Sequence, residues 1–84
     1  MKKIQIGQVQ HYYDKIKVAI IKITKGDLKV GDEIEISDEK GNGLSQKVSS
    51  MQIEHAQIDI AKAGDEFGLK VEGDVKAKSK VFKL

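Results

Sequence analysis

At 84 residues the chain is long enough for one small domain, 1–84, and it carries no cysteine, so disulfides and zinc–thiolate sites are excluded. Its fifteen lysines nearly balance thirteen carboxylates, giving a net charge of +2, and it has no arginine. Because arginine supplies the planar fork that reads guanine and clasps phosphate, reading of DNA sequence is not expected, whereas non-specific lysine–phosphate contact stays open. The longest apolar run, 18–21, is too short for a membrane helix or a signal peptide, so we expect a cytoplasmic protein without a membrane partner.

Alternation of apolar and polar residues predicts β-strands from the start of the chain onward. Ile4 and Ile6 alternate with polar neighbours, and the same period returns at 33–36 and 66–71. Turns that contain glycine separate these runs. They fall at 25–27, 30–32, 40–43, 63–65 and 72–74. Several short strands between such turns favour a small barrel or a sandwich.

The alternation changes phase in three places, which bears on how the sheet curves. The changes lie at 6–9, at 18–23 and at 48–53. A slip of one residue is what a β-bulge produces, and bulges let a sheet curl. We therefore predict an all-β fold, a single small antiparallel β-barrel, with strands buried on both faces as the alternative explanation of the slips.

The second half of the chain has one ambiguous segment and two core candidates. Residues 54–62 suit either a helical turn or an extended connector, and we interpret them as a connector with a short strand. Phe67 is in phase with Leu69 and Val71, which places it in the core. Phe82 follows Val81 in the last apolar run and is assigned to the core as well.

Nucleotide-binding and nucleophile motifs are incomplete. Gly26 and Gly31 have the outer spacing of a P-loop, but the acidic pair 32–33 stands where lysine and serine or threonine are required. The stretch 43–47 fits a nucleophile elbow except at its last position, where lysine replaces the glycine.

Metal motifs are incomplete too. The segment from Asp38 resembles a calcium loop, yet Lys40 and Ser49 occupy positions where oxygen ligands with negative charge are needed. Neither His11 nor His55 has a cysteine or second histidine at metal spacing, so both are expected to be surface or turn residues. We predict no catalytic residues, no metal and no cofactor, and hence no enzyme.

The candidate partner-binding site lies at the turn between the first two strands. It consists of His11, Tyr12, Tyr13, Lys15 and Lys17. Because neighbouring residues of a strand point to opposite faces, one tyrosine can pack inside while the other stays exposed. An exposed aromatic ring beside a histidine and two lysines could stack on a base or anchor a protein partner. Alternatively, both tyrosines close the end of the barrel and the lysines are merely solvated.

The order of the motifs is similar to that of a known family. The relevant pieces are 7–9, 23–24, Leu28-Lys29-Val30-Gly31-Asp32, 48–52 and Ala63-Gly64-Asp65 followed by Phe67-Gly68-Leu69. Over about residues 4–83 they resemble the second domain of translational GTPases such as elongation factor Tu and initiation factor two. The stretch 51–55 looks closer still to small translation elongation factor-like proteins and to the C-terminal barrel of the collagenase-type peptidases.

This resemblance implies a small antiparallel β-barrel and, without a GTP-binding domain, no GTP hydrolysis. Where the family's last turn reads Gly-Asp, this chain has Lys78 and Ser79. The expected function is a non-catalytic, translation elongation factor-like binding module that contacts tRNA or other RNA. The lysines that would meet phosphate are Lys15, Lys17, Lys76, Lys78 and Lys80. The alternative is a protein-interaction module, an accessory barrel for a peptidase-family or other protein partner, which suits the near-neutral charge and the missing arginine.

Overall fold

The computed structural model describes residues 4–38, 40, 43–54 and 56–84, and its regular elements are all strands. In chain order these are β1 (Ile4–Tyr13), β2 (Val18–Ile23), β3 (Asp27–Lys29), β4 (Glu33–Ser37), β5 (Gly43–Lys47), β6 (Met51–Ile53), β7 (Ala56–Ile58), β8 (Ile60–Lys62), β9 (Glu66–Lys70) and β10 (Lys80–Lys83). The described part of the chain contains no helix that could cross a membrane.

Eight of the strands form one antiparallel sheet in the order β5-β4-β10-β1-β2-β9-β6-β7, and β3 pairs with β8 in a second, small sheet. The last strand, β10, therefore lies in the interior of the main sheet, between β4 and β1. The predicted all-β, antiparallel fold is confirmed. Among the described residues no strand ladder joins the edge strands β5 and β7, so closure into a barrel stays a prediction.

The predicted bulge near the start of the chain is confirmed. The register of β1 against β10 shifts between Gln5 and Gly7, and its register against β2 shifts between Val9 and His11. Gly7 sits where the backbones of β1 and β2 approach closely, because a Cβ there would clash with the carbonyl oxygen of Lys22. These shifts bend β1 and turn its C-terminal end towards the β1–β2 connection.

The predicted bulge within β2 is wrong. Its register against β9 runs without a break, with every second side chain from Ala19 to Ile23 buried, while Val18 and Ile20 are half-buried on the opposite face. The reason lies in β9, where Gly68 leaves a gap beside them. A Cβ on Gly68 would stand 3.2 Å from a methyl of Val18 and 3.7 Å from a methyl of Ile20.

The third phase change is not a bulge either. Val48 follows the end of β5 and Met51 begins β6, so the change falls in the connection between two strands. In the ambiguous segment 54–62, Glu54 lies in a turn with a φ of 50°, and residues from 56 onward form two short strands, β7 and β8, where we predicted a connector with one. The turn predicted at 40–43 lies partly outside the described residues.

The core lies on one face of the curved sheet. Its members with the largest buried side chains are Phe67, Ile21, Ile23, Leu28, Ile34, Ile36, Met51 and Leu69. The assignment of Phe67 is confirmed, whereas that of Phe82 is wrong. Since adjacent strand residues point to opposite faces, only one of Val81 and Phe82 can face inward. Val81 is fully buried, and Phe82 is half-buried outside the core cluster.

Two turns of the same construction follow the strands of the small sheet. After β3, the Asp32 side chain accepts a hydrogen bond from the backbone N–H of Lys29 at 2.9 Å. After β8, the Asp65 side chain accepts one from the backbone N–H of Lys62, also at 2.9 Å. The glycine before each aspartate has a positive φ, 99° and 95°, which suits a residue without Cβ. These turns lead the chain into β4 and β9.

Candidate functional site

The β1–β2 hairpin presents the sequence-predicted site at one end of the molecule. Its connection covers residues 14–17 and ends at Lys17, whose φ of 53° is left-handed, an uncommon conformation for a residue with a side chain. The carbonyl of Lys17 accepts a hydrogen bond from the N–H of Val71 at 2.9 Å. This bond ties the hairpin to the segment that follows β9.

The two tyrosines of the hairpin point to opposite faces, as predicted. Tyr12 lies opposite Ala19 and packs against the core, and its hydroxyl donates to Asp74 at 3.1 Å. Burial raises the pKa of the Tyr12 hydroxyl, and the carboxylates of Asp74 and Asp14 raise it further. The hydroxyl therefore stays protonated and acts as a donor. Tyr12 thereby connects the hairpin to the 73–74 segment.

Tyr13 is on the outer face, where 52% of its surface is exposed. The exposed ring of His11 lies beside it, with ring centroids 6.5 Å apart and planes inclined by 31°. Lys15 and Lys17 are exposed on the adjoining connection. The structure thus brings together four of the five predicted residues on an open surface, and places Tyr12 behind them.

Sequence reasoning did not single out the apolar part of this surface. Ile16, at the tip of the hairpin, is 62% exposed, and Val18 and Ile20 extend the apolar strip over Gly68. The signal was present as an isoleucine between two lysines. We call His11, Tyr13, Lys15, Ile16 and Lys17 the hairpin surface.

A cleft between Asp38 and Lys40 on one side and residues 76–79 on the other was not predicted, although Lys76 and Lys78 were among the lysines expected to meet phosphate. It has a volume of about 270 Å³. The lining residues are Asp38, Lys40, Lys76, Ala77, Lys78 and Ser79. We call it the lysine cleft. It joins residues distant in sequence, which a reading of local patterns does not reveal.

No group of three metal-ligating side chains is assembled within the part of the chain that the structure describes. His11 faces solvent beside Tyr13. His55 lies outside the described residues.

The strands and their order define an all-β, antiparallel module. Residues 17–81 match the family model of elongation factor Tu domain 2. This match covers more than half of the chain, and the chain belongs to that family.

Relatives by sequence are longer proteins. The chain is 39% identical over 83 residues to an uncharacterised protease of Methanocaldococcus jannaschii, covering 99% of this chain and 20% of that protein. It is 28% identical over 82 residues to a collagenase of Porphyromonas gingivalis, covering 98% of this chain and 20% of that protein. The chain thus spans about a fifth of the length of these relatives.

Two solved structures share the fold. The C-terminal domain of a Geobacillus thermoleovorans protein described as a U32 peptidase superposes with a TM-score of 0.87 at 18% identity, covering 95% of this chain and 99% of that one. GDP-bound aIF5B of Aeropyrum pernix superposes with a TM-score of 0.65 at 11% identity, covering 96% of this chain and 15% of that one. At these identities the two structures show that the fold is shared.

Proposed function

We propose that this chain is a cytoplasmic, non-catalytic binding module that contacts RNA, tRNA included, through the hairpin surface. The observation that supports it is the exposed ring of Tyr13 next to His11, with Lys15 and Lys17 on the adjoining turn. Aromatic rings stack on unpaired bases whatever their identity, and lysines contact phosphate without reading sequence. The module would accordingly bind single-stranded RNA with little sequence preference.

The rigidity of the hairpin favours this function. Tyr12 is held by Asp74, and Lys17 by Val71, so the exposed groups project from a fixed base. A surface that is ordered before binding loses less conformational entropy when the ligand arrives.

We further propose that the main sheet closes into a functional barrel through side-chain contacts instead of a strand ladder. Gln46 of β5 supports this closure, since its amide donates to the carbonyl of Lys70 at 3.0 Å and accepts from the N–H of Glu72 at 2.8 Å. These bonds connect β5 with the end of β9, two strands that are not neighbours in the main sheet. A closed barrel would hold the hairpin at a fixed angle to the lysine cleft.

Replacing Tyr13 tests the RNA-binding proposal. We expect Tyr13→Ala to weaken binding of a fluorescently labelled single-stranded RNA by about 1–3 kcal/mol, the range for one stacked base. Tyr13→Phe keeps the ring and should retain the affinity. Fluorescence anisotropy across a series of salt concentrations measures both, and affinity should fall as salt rises because phosphate contacts release counterions. Salt-independent affinity, or no binding at low salt, would exclude RNA as the ligand.

A protein partner is the second candidate, and Ile16 favours it. An isoleucine exposed at a hairpin tip offers apolar surface that a partner can bury, and relatives about five times longer carry this module beside other sequence. Affinity purification from the native cells, with and without nuclease, separates the two functions. Recovery of RNA that nuclease removes supports the RNA module. A near-stoichiometric protein that survives nuclease supports an accessory barrel for a peptidase-family or other protein.

A further inference from the structure

We propose that the lysine cleft is a phosphate-binding site, separate from the hairpin surface. Its two walls carry Lys40 on one side and Lys76 and Lys78 on the other. The ligand would be a phosphate group of a diphosphate or of a nucleic-acid backbone. The site itself does not depend on the proposed function, which bears only on whether that phosphate belongs to RNA.

The charge of the cleft stands out against the rest of the molecule. Three lysines and one aspartate line it, an excess of two positive charges, which equals the net charge of the whole chain. A local excess of positive charge of this kind attracts an anion.

The carboxylates near these lysines already have other partners. Asp38 accepts a hydrogen bond from the backbone N–H of Lys40 at 2.9 Å, and Asp74, in an adjoining hollow of about 220 Å³, accepts from Tyr12. Within the described part of the chain, ion pairs are recorded for Lys83 and for none of the three cleft lysines. Their ammonium groups are consequently available to a ligand.

The wall that carries Lys76 and Lys78 has a fixed backbone. The N–H of Lys78 donates to the carbonyl of Val9 at 2.7 Å, and the N–H of Val9 donates to the carbonyl of Ser79 at 2.8 Å. A third bond, from the N–H of Ser79 to the carbonyl of Lys76, closes the turn at 3.2 Å. Only the lysine side chains remain to be ordered when an anion binds.

Lys78 is held in an unfavourable backbone conformation. Its φ is 71°, in the left-handed region where glycine avoids the steric cost that a Cβ incurs. Residues kept in sparsely populated conformations cluster at ligand-binding sites. Lys17 and Glu54 share this region of φ, so the conformation of Lys78 supports the site only together with the charge of the cleft.

The chemistry of the lining favours phosphate over a planar carboxylate. Lysine ammonium groups act as point charges that surround a tetrahedral anion, whereas a planar carboxylate is matched best by the arginine fork, which this chain lacks. The cleft, at about 270 Å³, has room for a diphosphate with part of its hydration shell, given that a water occupies about 30 Å³.

Titration of the full chain with inorganic pyrophosphate at constant ionic strength, followed by ¹H–¹⁵N NMR, tests the site. We expect the largest shifts at 76–79 and around Asp38 and Lys40. The double variant K76Q/K78Q should weaken pyrophosphate binding by about tenfold, since each lost charge removes a favourable Coulomb interaction. K76R/K78R should retain binding, which distinguishes loss of charge from loss of structure.

The matched control is K25Q/K62Q, which removes the same charge near the β2–β3 turn and the end of β8. It should bind like the wild type. Equal weakening in the control, or shifts spread over all lysines, would overturn the cleft as a site. A labelled single-stranded RNA separates the two proposals. RNA binding without a pyrophosphate site leaves the proposed function intact and removes the cleft, and a pyrophosphate site without RNA binding does the reverse.

Discussion

Gln46 is the polar side chain that joins β5 to the end of β9 and the residues that follow it. It is 7% exposed, and both ends of its amide are satisfied by backbone groups of the segment after β9. A buried amide with both ends bonded stabilises a fold modestly, and its removal leaves two partly buried backbone groups without this partner. Gln46 therefore contributes two hydrogen bonds to the contact between β5 and the end of β9.

Replacing Gln46 with leucine keeps the volume and removes both bonds. We expect Gln46→Leu to lower the free energy of unfolding by about 1–3 kcal/mol, from the loss of two partly buried hydrogen bonds at about 0.5–1.5 kcal/mol each. Urea unfolding measures the change. Gln57→Leu, on the exposed face of β7, should stay within about 0.5 kcal/mol of wild type. Equal stability of the two variants would show that the bonds from Gln46 to the end of β9 do not stabilise the fold.

Single residues also show where sequence reasoning ends. The period of two correctly assigned Phe67 to the core, because polar residues alternate with it. It could not choose between Val81 and Phe82, since two adjacent apolar residues fit either phase. It also misread β2, because a glycine in the neighbouring strand makes room for apolar side chains on the outer face.

Among the elements, the two aspartate turns that follow β3 and β8 are the most regular. In the first, the Lys29 N–H holds the pKa of the Asp32 carboxyl below its usual 3.8, and Lys83, whose ammonium lies 3.3 Å from that carboxylate, lowers it further. Partial burial acts in the opposite direction and does not reverse the shift. The charged form of Asp32 therefore stabilises the turn.

This shift predicts how stability depends on pH. A carboxyl with a depressed pKa contributes stability above its unfolded pKa, and that contribution is lost as pH falls from about 3.8 through the folded pKa. We expect the free energy of unfolding of Asp32→Asn to fall less than that of wild type between about pH 5 and about pH 2. Urea unfolding across that range measures the slopes. Lys83→Gln should flatten the slope only in part, because the larger cause is the Lys29 N–H.

An identical acid dependence in wild type and Asp32→Asn would show that the turn does not couple to pH.

Each glycine turn with described residues lies where the sequence predicted a turn, since glycine and aspartate carry local signals. The pairing of β3 with β8 was not predictable in the same way. It joins residues 27–29 to 60–62, and three residues are too few to show an alternation of apolar and polar side chains that would identify the partner strand.

For the molecule as a whole, the strand order makes β10 the link between two parts of the main sheet. On one side lie β4 and β5, and on the other lies β1 with the strands beyond it. Val81, fully buried at the centre of this link, contacts both parts through its pairs with Ile36 and Gly7. The two parts should consequently unfold together.

Truncation of Val81 tests that coupling. We expect Val81→Ala to lower the free energy of unfolding by about 2 kcal/mol, from lost methyl burial and the small cavity left behind. The transition in urea, followed by circular dichroism, should remain a single step. Val30→Ala, at an exposed position, should change stability by less than about 0.5 kcal/mol. Two separate transitions in Val81→Ala would show that the parts are independent.

Whether a candidate surface could be predicted depends on whether its residues are adjacent or distant in sequence. The hairpin surface was predicted because its residues are adjacent in sequence and the alternation of Tyr12 and Tyr13 is a local property. The lysine cleft was not, because it joins the β4–β5 connection to the segment before β10. Only the strand order of the complete sheet brings Lys40 close to Lys76 and Lys78.

The interior position of β10 also governs when the chain can fold. During synthesis, at about 5–20 residues per second, β1 and β4 emerge several seconds before the strand that joins them. Until residues 80–83 leave the ribosome, the facing edges of β1 and β4 lack their partner, and pairings between such distant segments form slowly, in milliseconds to seconds. Nascent chains are thus exposed to aggregation or chaperone capture through these two edges, which the finished sheet conceals.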